Sequence, residues 1–186
     1  MNWSRSYGIF CFYLYPGPLF NHTGSERRAE LIENNLRKAR RVAVIGGHQP
    51  DEEALKIAYE IGQRLAQAGA ILVCGGLSGV MEAAARGARE AGGLTIGILP
   101  GTNPEEANPF IDLPLATGIG FSRNSMVVLN ADSVIAIDGE YGTLSEIAFA
   151  RLYNKKVVGI NTWKIEGVLP VNSASEAVDQ ALSDGK

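Results

Sequence analysis

The chain is poor in the features that mark specialised classes of protein. Among its 186 residues are two cysteines and two histidines. Cys11 and Cys74 lie far apart in unlike surroundings, which predicts no disulfide and a reducing, cytoplasmic setting. His22 and His48 have no cysteine or acidic cluster at ligand spacing, so no metal site is expected. A formal net charge of only −3 leaves no basic footprint for nucleic acid or for an anionic membrane surface. The apolar run from Ile9 to Tyr15 falls far short of the roughly 20 residues that a membrane-spanning helix requires. A G-x-x-x-x-G-K-[ST] loop is missing, which argues against a nucleoside triphosphatase. The turn after the first strand lacks G-x-G-x-x-G and no acidic residue closes the second strand, so ordinary NAD binding is disfavoured.

What remains is ordinary globular composition, 46% hydrophobic and 20% charged, long enough for one domain with a substantial core. Residues 1–24 read as a tail or an extension of unknown role. Arg5 precedes the apolar run as in a signal peptide, but Pro16-Gly17-Pro18 stands where a small-residue cleavage site belongs. From Ser25 to Arg41, Ala29, Ile32, Leu36 and Ala39 recur at helical spacing, and the basic cluster at residues 37–41 reads as a solvated helix end. The domain is therefore expected over residues 25–186.

Within it strand and helix alternate. Strands are expected at Arg41 to Ile45, Ala70 to Cys74, Leu94 to Leu99, Val134 to Ile137 and Lys156 to Asn161. Helices are expected from about Asp51 to Ala68, Val80 to Ala91, Phe121 to Asn130, Thr143 to Tyr153, and Ser173 to Leu182. Pro100 to Gly120, with its prolines and glycines, reads as a long functional loop. Short apolar strands alternating with helices predict a doubly wound α/β domain, a parallel sheet of about five or more strands with helices on both faces. If the strand order is 3-2-1-4-5, the crevice opens between the first and fourth strands, and ligands sit at the carboxyl ends beside it. Three glycine turns then converge on one pocket, with Gly46, Gly47 and His48 in the first, Gly75, Gly76, Ser78 and Gly79 in the second, and Gly139, Glu140, Tyr141, Gly142 and Thr143 in the third.

The third turn is the most informative. It follows a buried strand and opens a helix, so its free amides and the positive end of the helix dipole favour a phosphate. Thr143-Leu144-Ser145-Glu146 also fits a capping box, which offers Glu146 a structural role beside a chemical one. Asp138 and Glu140 bring two carboxylates to this proposed anion site. With Ser122 as N-cap, Arg123 falls in the first turn of its helix, where a cation opposes the dipole unless an anion faces it; the alternative is a side chain reaching to water. His48 is either a ligand contact or an exposed turn residue. Cys74 reads as a small buried hydrophobe and Met81 as core.

Gly75-Gly76-Leu77-Ser78-Gly79-Val80-Met81, Arg123 ahead of Met126, and Tyr141-Gly142-Thr143-Leu144-Ser145-Glu146 together resemble the LONELY GUY family, long labelled "lysine decarboxylase-like". The family pattern is GGG-x-x-G-L-M, then R-K-x-x-M, then P-G-G-x-G-T-x-x-E, and the resemblance covers about Arg41 to Leu182. It implies a Rossmann-like fold and hydrolysis of the N-glycosidic bond of nucleoside 5′-monophosphates, giving free base and ribose 5-phosphate. The family's essential arginine and glutamate fall on Arg123 and Glu146, and its phosphate loop on Gly139 to Thr143. Asp138-Gly139-Glu140 replaces Pro-Gly-Gly, and Asn124 replaces the lysine. The stretch from Gly118 to Asn124, with Gly142 to Glu146, is more similar to the branch that includes the molybdenum-cofactor carrier protein, which binds without hydrolysis. The expected partner is thus a small phosphorylated ligand: an AMP-like nucleotide, phosphate or molybdenum cofactor. No resident cofactor is required. A non-catalytic nucleotide sensor is a third reading, and the resemblance also implies a homodimer or homotetramer.

Overall fold

The computed structural model describes residues 38–183; the tail, the proposed first helix up to Arg37, His22 and Cys11 lie outside them, while Lys38 to Arg40 are turn and irregular backbone rather than a helix end and Arg41 opens the first strand. Seven strands form one sheet: β1 (Arg41–Gly46), β2 (Ile71–Cys74), β3 (Thr95–Leu99), β4 (Leu113–Ala116), β5 (Ser133–Ile137), β6 (Lys156–Ile160) and β7 (Val168–Pro170). Their order is β4-β3-β2-β1-β5-β6-β7 and every pairing is parallel. The five strands read from the sequence form the interior in the expected order, so the chain reverses direction of winding between β1 and β5.

The interior strands are short apolar runs because helices cover them on both sides. On one side pack α1 (Glu52–Gln67), α2 (Val80–Glu90) and α5 (Ala174–Leu182), around Val42, Val44, Leu72 and Ile135. On the other lie α3 (Asn124–Leu129) and α4 (Tyr141–Leu152), over Ala43, Ile45, Val134 and Ala136. Alternate residues of one strand thus feed two different cores, as the two-residue period of a strand dictates. Asp51 caps α1 by accepting a hydrogen bond from Ala54 N–H at 2.8 Å, and Ser173 caps α5 in the same way through Glu176 N–H at 3.2 Å.

Three expectations are corrected. The segment from Pro100 to Gly120 is not all loop: Pro104–Glu106 forms a 3₁₀ turn, and β4 pairs with β3 through Ile96↔Leu113 to Leu99↔Ala116. An edge strand of four residues containing Pro114 carries no readable alternation; its pairing partner defines it. The same applies to β7, which ends on Pro170. The helix expected from Phe121 is split into a 3₁₀ turn, Gly120–Arg123, followed by α3, and Ser122 makes no capping bond.

Helices α1 and α2 cross with backbone against backbone. A Cβ at Gly62 would stand 2.0 Å from the carbonyl oxygen of Ala84, and one at Gly87 the same distance from that of Tyr59. Alanine in a helix is ordinarily favoured over glycine by about 1 kcal/mol. Here Gly62→Ala is expected to destabilise by about 1–3 kcal/mol, because the helices must part. Urea unfolding measures this, and a midpoint equal to or above that of the parent chain would refute the close crossing.

Candidate functional site

The carboxyl ends of β1, β2 and β5 meet at the reversal point. The turn after β2 touches the turn after β1: Val80 N–H donates to the carbonyl of Gly47 at 3.1 Å, and a Cβ on Gly79 would lie 2.5 Å from that same oxygen. Ser78 Oγ sits 2.9 Å from His48 Nδ1, a second tie between these turns. Gly47 in turn faces β5, where a Cβ would lie 3.4 Å from Asp138 Oδ2 and 3.9 Å from Gly139 Cα. Asn108, from the long loop, donates through Nδ2 to the carbonyls of Gly76 at 3.2 Å and Leu77 at 2.8 Å, pinning the second turn from outside. The three glycine turns read from the sequence are neighbours.

The turn after β5 differs from the capping box read from the sequence. The helix starts two residues earlier than expected, at Tyr141, with Glu140 as an N-cap that makes no side-chain hydrogen bond. Its first turn closes through Leu144 N–H to Glu140 C=O at 3.0 Å. Thr143 is therefore the third helical residue, buried, with its side chain packed so tightly on Gly139 that a Cβ there would meet it at 2.5 Å. Gly139 also has φ of +121°. Among the described residues, the N–H groups from Gly139 to Thr143 find no acceptor, which leaves the usual complement of free amides at a helix start. Gly142 has open space around it, and Glu140 and Tyr141 are exposed.

Glu146 is consequently not a cap. It lies one turn further along α4, buried, with Oε1 3.6 Å from Nη1 of the equally buried Arg123. The anion that faces Arg123 is thus this carboxylate. The guanidinium occupies space that only a glycine leaves free, since a Cβ on Gly75 would lie 2.6 Å from Arg123 Nη2. Arg123 also donates to Asn124 Oδ1, while its Nε has no hydrogen-bond partner among the described residues. Asn124 spans from α3 to α4 through Nδ2, donating to Ser145 Oγ at 2.8 Å and to Gly142 C=O at 3.4 Å.

Burial acts on both members of the pair. It pushes the Glu146 carboxyl up from 4.5 to about 7, an effect that the attraction of Arg123 only partly offsets. It lowers the Arg123 guanidinium from its ordinary value, against the attraction of Glu146. Cys74 lies close by, and burial pushes its thiol up to about 12, which removes it as a nucleophile near neutral pH. Among the described residues no group of histidine, cysteine and carboxylate side chains could hold a metal ion, and no helix is long and apolar enough to cross a membrane.

A doubly wound domain with glycine turns and an ionisable pair at its reversal point belongs to the class of Rossmann-like α/β proteins. The sequence matches the SLOG cluster4 family over residues 39–184, and the chain belongs to that family. A protein of Archaeoglobus fulgidus, itself uncharacterised, is 41% identical over 78% of this chain and 97% of its own length. A probable cytokinin riboside 5′-monophosphate phosphoribohydrolase of Oryza sativa is 31% identical over 78% of this chain, and the Mycobacterium tuberculosis enzyme of that name 30% over 60%. The matches span 62% and 64% of those two proteins' own lengths. Among solved structures, the molybdenum cofactor binding protein of Rippkaea orientalis aligns with a TM-score of 0.73 at 35% identity, over 76% of this chain and 94% of its own. The carrier protein of Chlamydomonas reinhardtii aligns with a TM-score of 0.69 at 32% identity, over 76% and 95%. A LONELY GUY-like family membership and a parallel doubly wound fold are thus established.

Sequence reasoning weighed Asn124 only as a lost lysine and passed over Asn108, Thr162 and Trp163. Asn124 and Asn108 build the site by bridging elements distant in sequence, and nothing in their local sequence marks this.

The pair makes stability depend on pH. Folded, Glu146 keeps its proton up to about pH 7, whereas an unfolded glutamate releases it near 4.5. Between those values the folded chain binds more protons, so stability falls as pH rises through the window. Glu146→Gln removes that fall. In denaturant unfolding the parent chain is expected to lose about 3 kcal/mol more than the variant between these two pH values, and parallel profiles would show that Glu146 is not held protonated.

Proposed function

We propose that the chain binds a phosphorylated nucleotide-like ligand at the carboxyl ends of β1, β2 and β5, and hydrolyses the N-glycosidic bond of a nucleoside 5′-monophosphate there. The observation that carries this reading is the buried Arg123–Glu146 pair beside the free amides after β5. Burying two charges costs several kcal/mol per ion, and replacing such a pair by apolar side chains is often stabilising, so the pair is poorly explained by stability alone. Ionisable groups shifted by burial concentrate where chemistry is done.

In this reading the amides of Gly139 to Thr143 grip the phosphate and Arg123 fixes the substrate. The bond from C1′ to the base nitrogen breaks with its electron pair leaving on the base. Water supplies hydroxide to C1′ and a proton to the base. The Glu146 carboxylate stabilises the oxocarbenium-like sugar and orients or deprotonates the water. The ionised form is the active one, so kcat/KM is expected to rise with pH through about 7.

A second reading is favoured by a separate observation. Solved structures of molybdenum-cofactor proteins are matched over 94% and 95% of their length, against 62% and 64% for the two phosphoribohydrolases. Asp138 and Glu140 also add negative charge around the anion site. A carrier that holds a pterin phosphate without turnover fits the fuller coverage, whereas the added charge opposes a pterin's phosphate as much as a nucleotide's. Self-association through α3, the 3₁₀ turn before it and α4 fits the exposure of Phe121, Leu129 and Leu152, at 84%, 56% and 70%.

Incubation with AMP and related monophosphates, followed by chromatography for free base, distinguishes these readings. Turnover by the parent chain is expected, with a loss of about 100-fold or more in Glu146→Gln. No base released from any monophosphate, with molybdenum cofactor retained, would transfer the assignment to the carrier. In the Glu146→Gln background, where AMP is not consumed, Arg123→Ala is expected to weaken AMP binding at least tenfold, as measured by calorimetry, and unchanged affinity would remove Arg123 from the site.

A further inference from the structure

Two aromatic side chains stand in water beside the turn after β5. Tyr141, the first residue of α4, is 82% exposed, and Trp163, in the loop after β6, is 38% exposed. Their ring centroids are 6.2 Å apart with planes tilted by 34°, a tilted contact within the ordinary range of aromatic pairs, which leaves the outer ring faces exposed. Trp163 also lines a cleft of about 530 Å³ together with Asn161, Thr162, Lys164 and Asn172. Glu166 lines that cleft as well, whereas Tyr141 and the Gly139–Thr143 turn do not, so the aromatic pair rather than the cleft marks the side facing the turn.

The loop that carries Trp163 is locked to the glycine turn. Thr162 Oγ1 donates to the carbonyl of Asp138 at 2.6 Å, and Asp138 N–H donates to that of Ile160 at 3.0 Å. Asp138 and Asn161 end adjacent strands, and both hold left-handed backbone with φ of +50° and +49°. Aspartate and asparagine are the non-glycine residues that most readily take this conformation, so both strands can turn sharply here. The two loops therefore hold Tyr141 and Trp163 in a fixed relation to the amides of Gly139 to Thr143. A second hollow, of about 630 Å³ between α1 and α2, is less suited to a flat ring. There Arg86 lies over both aromatic faces, 5.7 Å from the Tyr59 centroid and 5.9 Å from that of Phe110.

We propose that Tyr141 and Trp163 form an aromatic platform that stacks the planar heterocycle of a ligand whose phosphate is gripped by the Gly139–Thr143 amides. This rests on the phosphate site of the functional reading and adds the part of the ligand that it leaves undefined. The platform recognises a flat ring with a phosphate one sugar or one short linker away. A bare sugar phosphate gains nothing from it.

The test uses the full chain carrying Glu146→Gln, so that AMP is not consumed, with its other tryptophan replaced, Trp3→Phe, so that Trp163 alone fluoresces on excitation at its red edge. AMP is expected to quench this emission as the base stacks, and ribose 5-phosphate to bind without quenching. Trp163→Ala is expected to weaken AMP binding about tenfold while leaving ribose 5-phosphate unchanged, and Trp163→Phe to restore most of the loss. AMP that binds with no change in emission and equal affinity for Trp163→Ala overturns the platform and leaves the phosphate site standing. Failure of the parent chain to bind either compound overturns the phosphate site, and the platform with it.

Discussion

A guanidinium and a carboxylate held 3.6 Å apart and shielded from water are the interaction on which the site depends. Burial disfavours both charges, holding the Glu146 carboxyl above its ordinary value and the Arg123 guanidinium below its own. Each therefore constrains its surroundings. Arg123 requires that the turn after β2 carry a glycine under its guanidinium, and it is positioned by the switch from 3₁₀ to α winding at the start of α3. Glu146 requires that α4 begin early enough to place a sixth helical residue over the end of the sheet. Asn124 couples the two helices that bring the pair together.

The sheet supplies the frame for this arrangement. Parallel strands point every carboxyl end the same way, and the reversal of winding between β1 and β5 leaves a gap there that no crossover connection covers. Small residues let the three turns close to within van der Waals distance, which brings backbone amides rather than side chains to the surface of the crevice. Amides suit an anion of fixed shape. Glu146 of the buried Arg123–Glu146 pair lies further along α4 from those amides. Asp138 and Glu140 have not filled the hollow: Glu140 points outward, and Asp138 lies over Gly47 without taking the amides of the turn. They change the field at the site, which is where this chain departs from the phosphoribohydrolase pattern.

The strands and their order were legible because a buried parallel strand must be apolar on both faces and must be followed by a helix long enough to cross over. The glycine turns were legible for a related reason, since strand exits that touch one another cannot carry side chains. The start of α4 was misread. Thr143-Leu144-Ser145-Glu146 has the composition of a capping box, but the space under Gly139 holds the Thr143 side chain and the helix begins at Tyr141. Edge strands β4 and β7 were invisible, because three or four residues with a proline become a strand only when a neighbour provides the hydrogen bonds.

The amino-acid sequence by itself determined the alternation of strand and helix, the winding order and the residue types at each turn, because those follow from local periodicity and from the steric needs of a close-packed sheet. Only the tertiary structure decided what Glu146 does, that Arg123 faces it, that Asn108 and Asn124 tie the turns, and that Tyr141 meets Trp163. Each of these joins residues far apart along the chain. Their distances and their exposure to water arise when the sheet closes, and no local stretch encodes them.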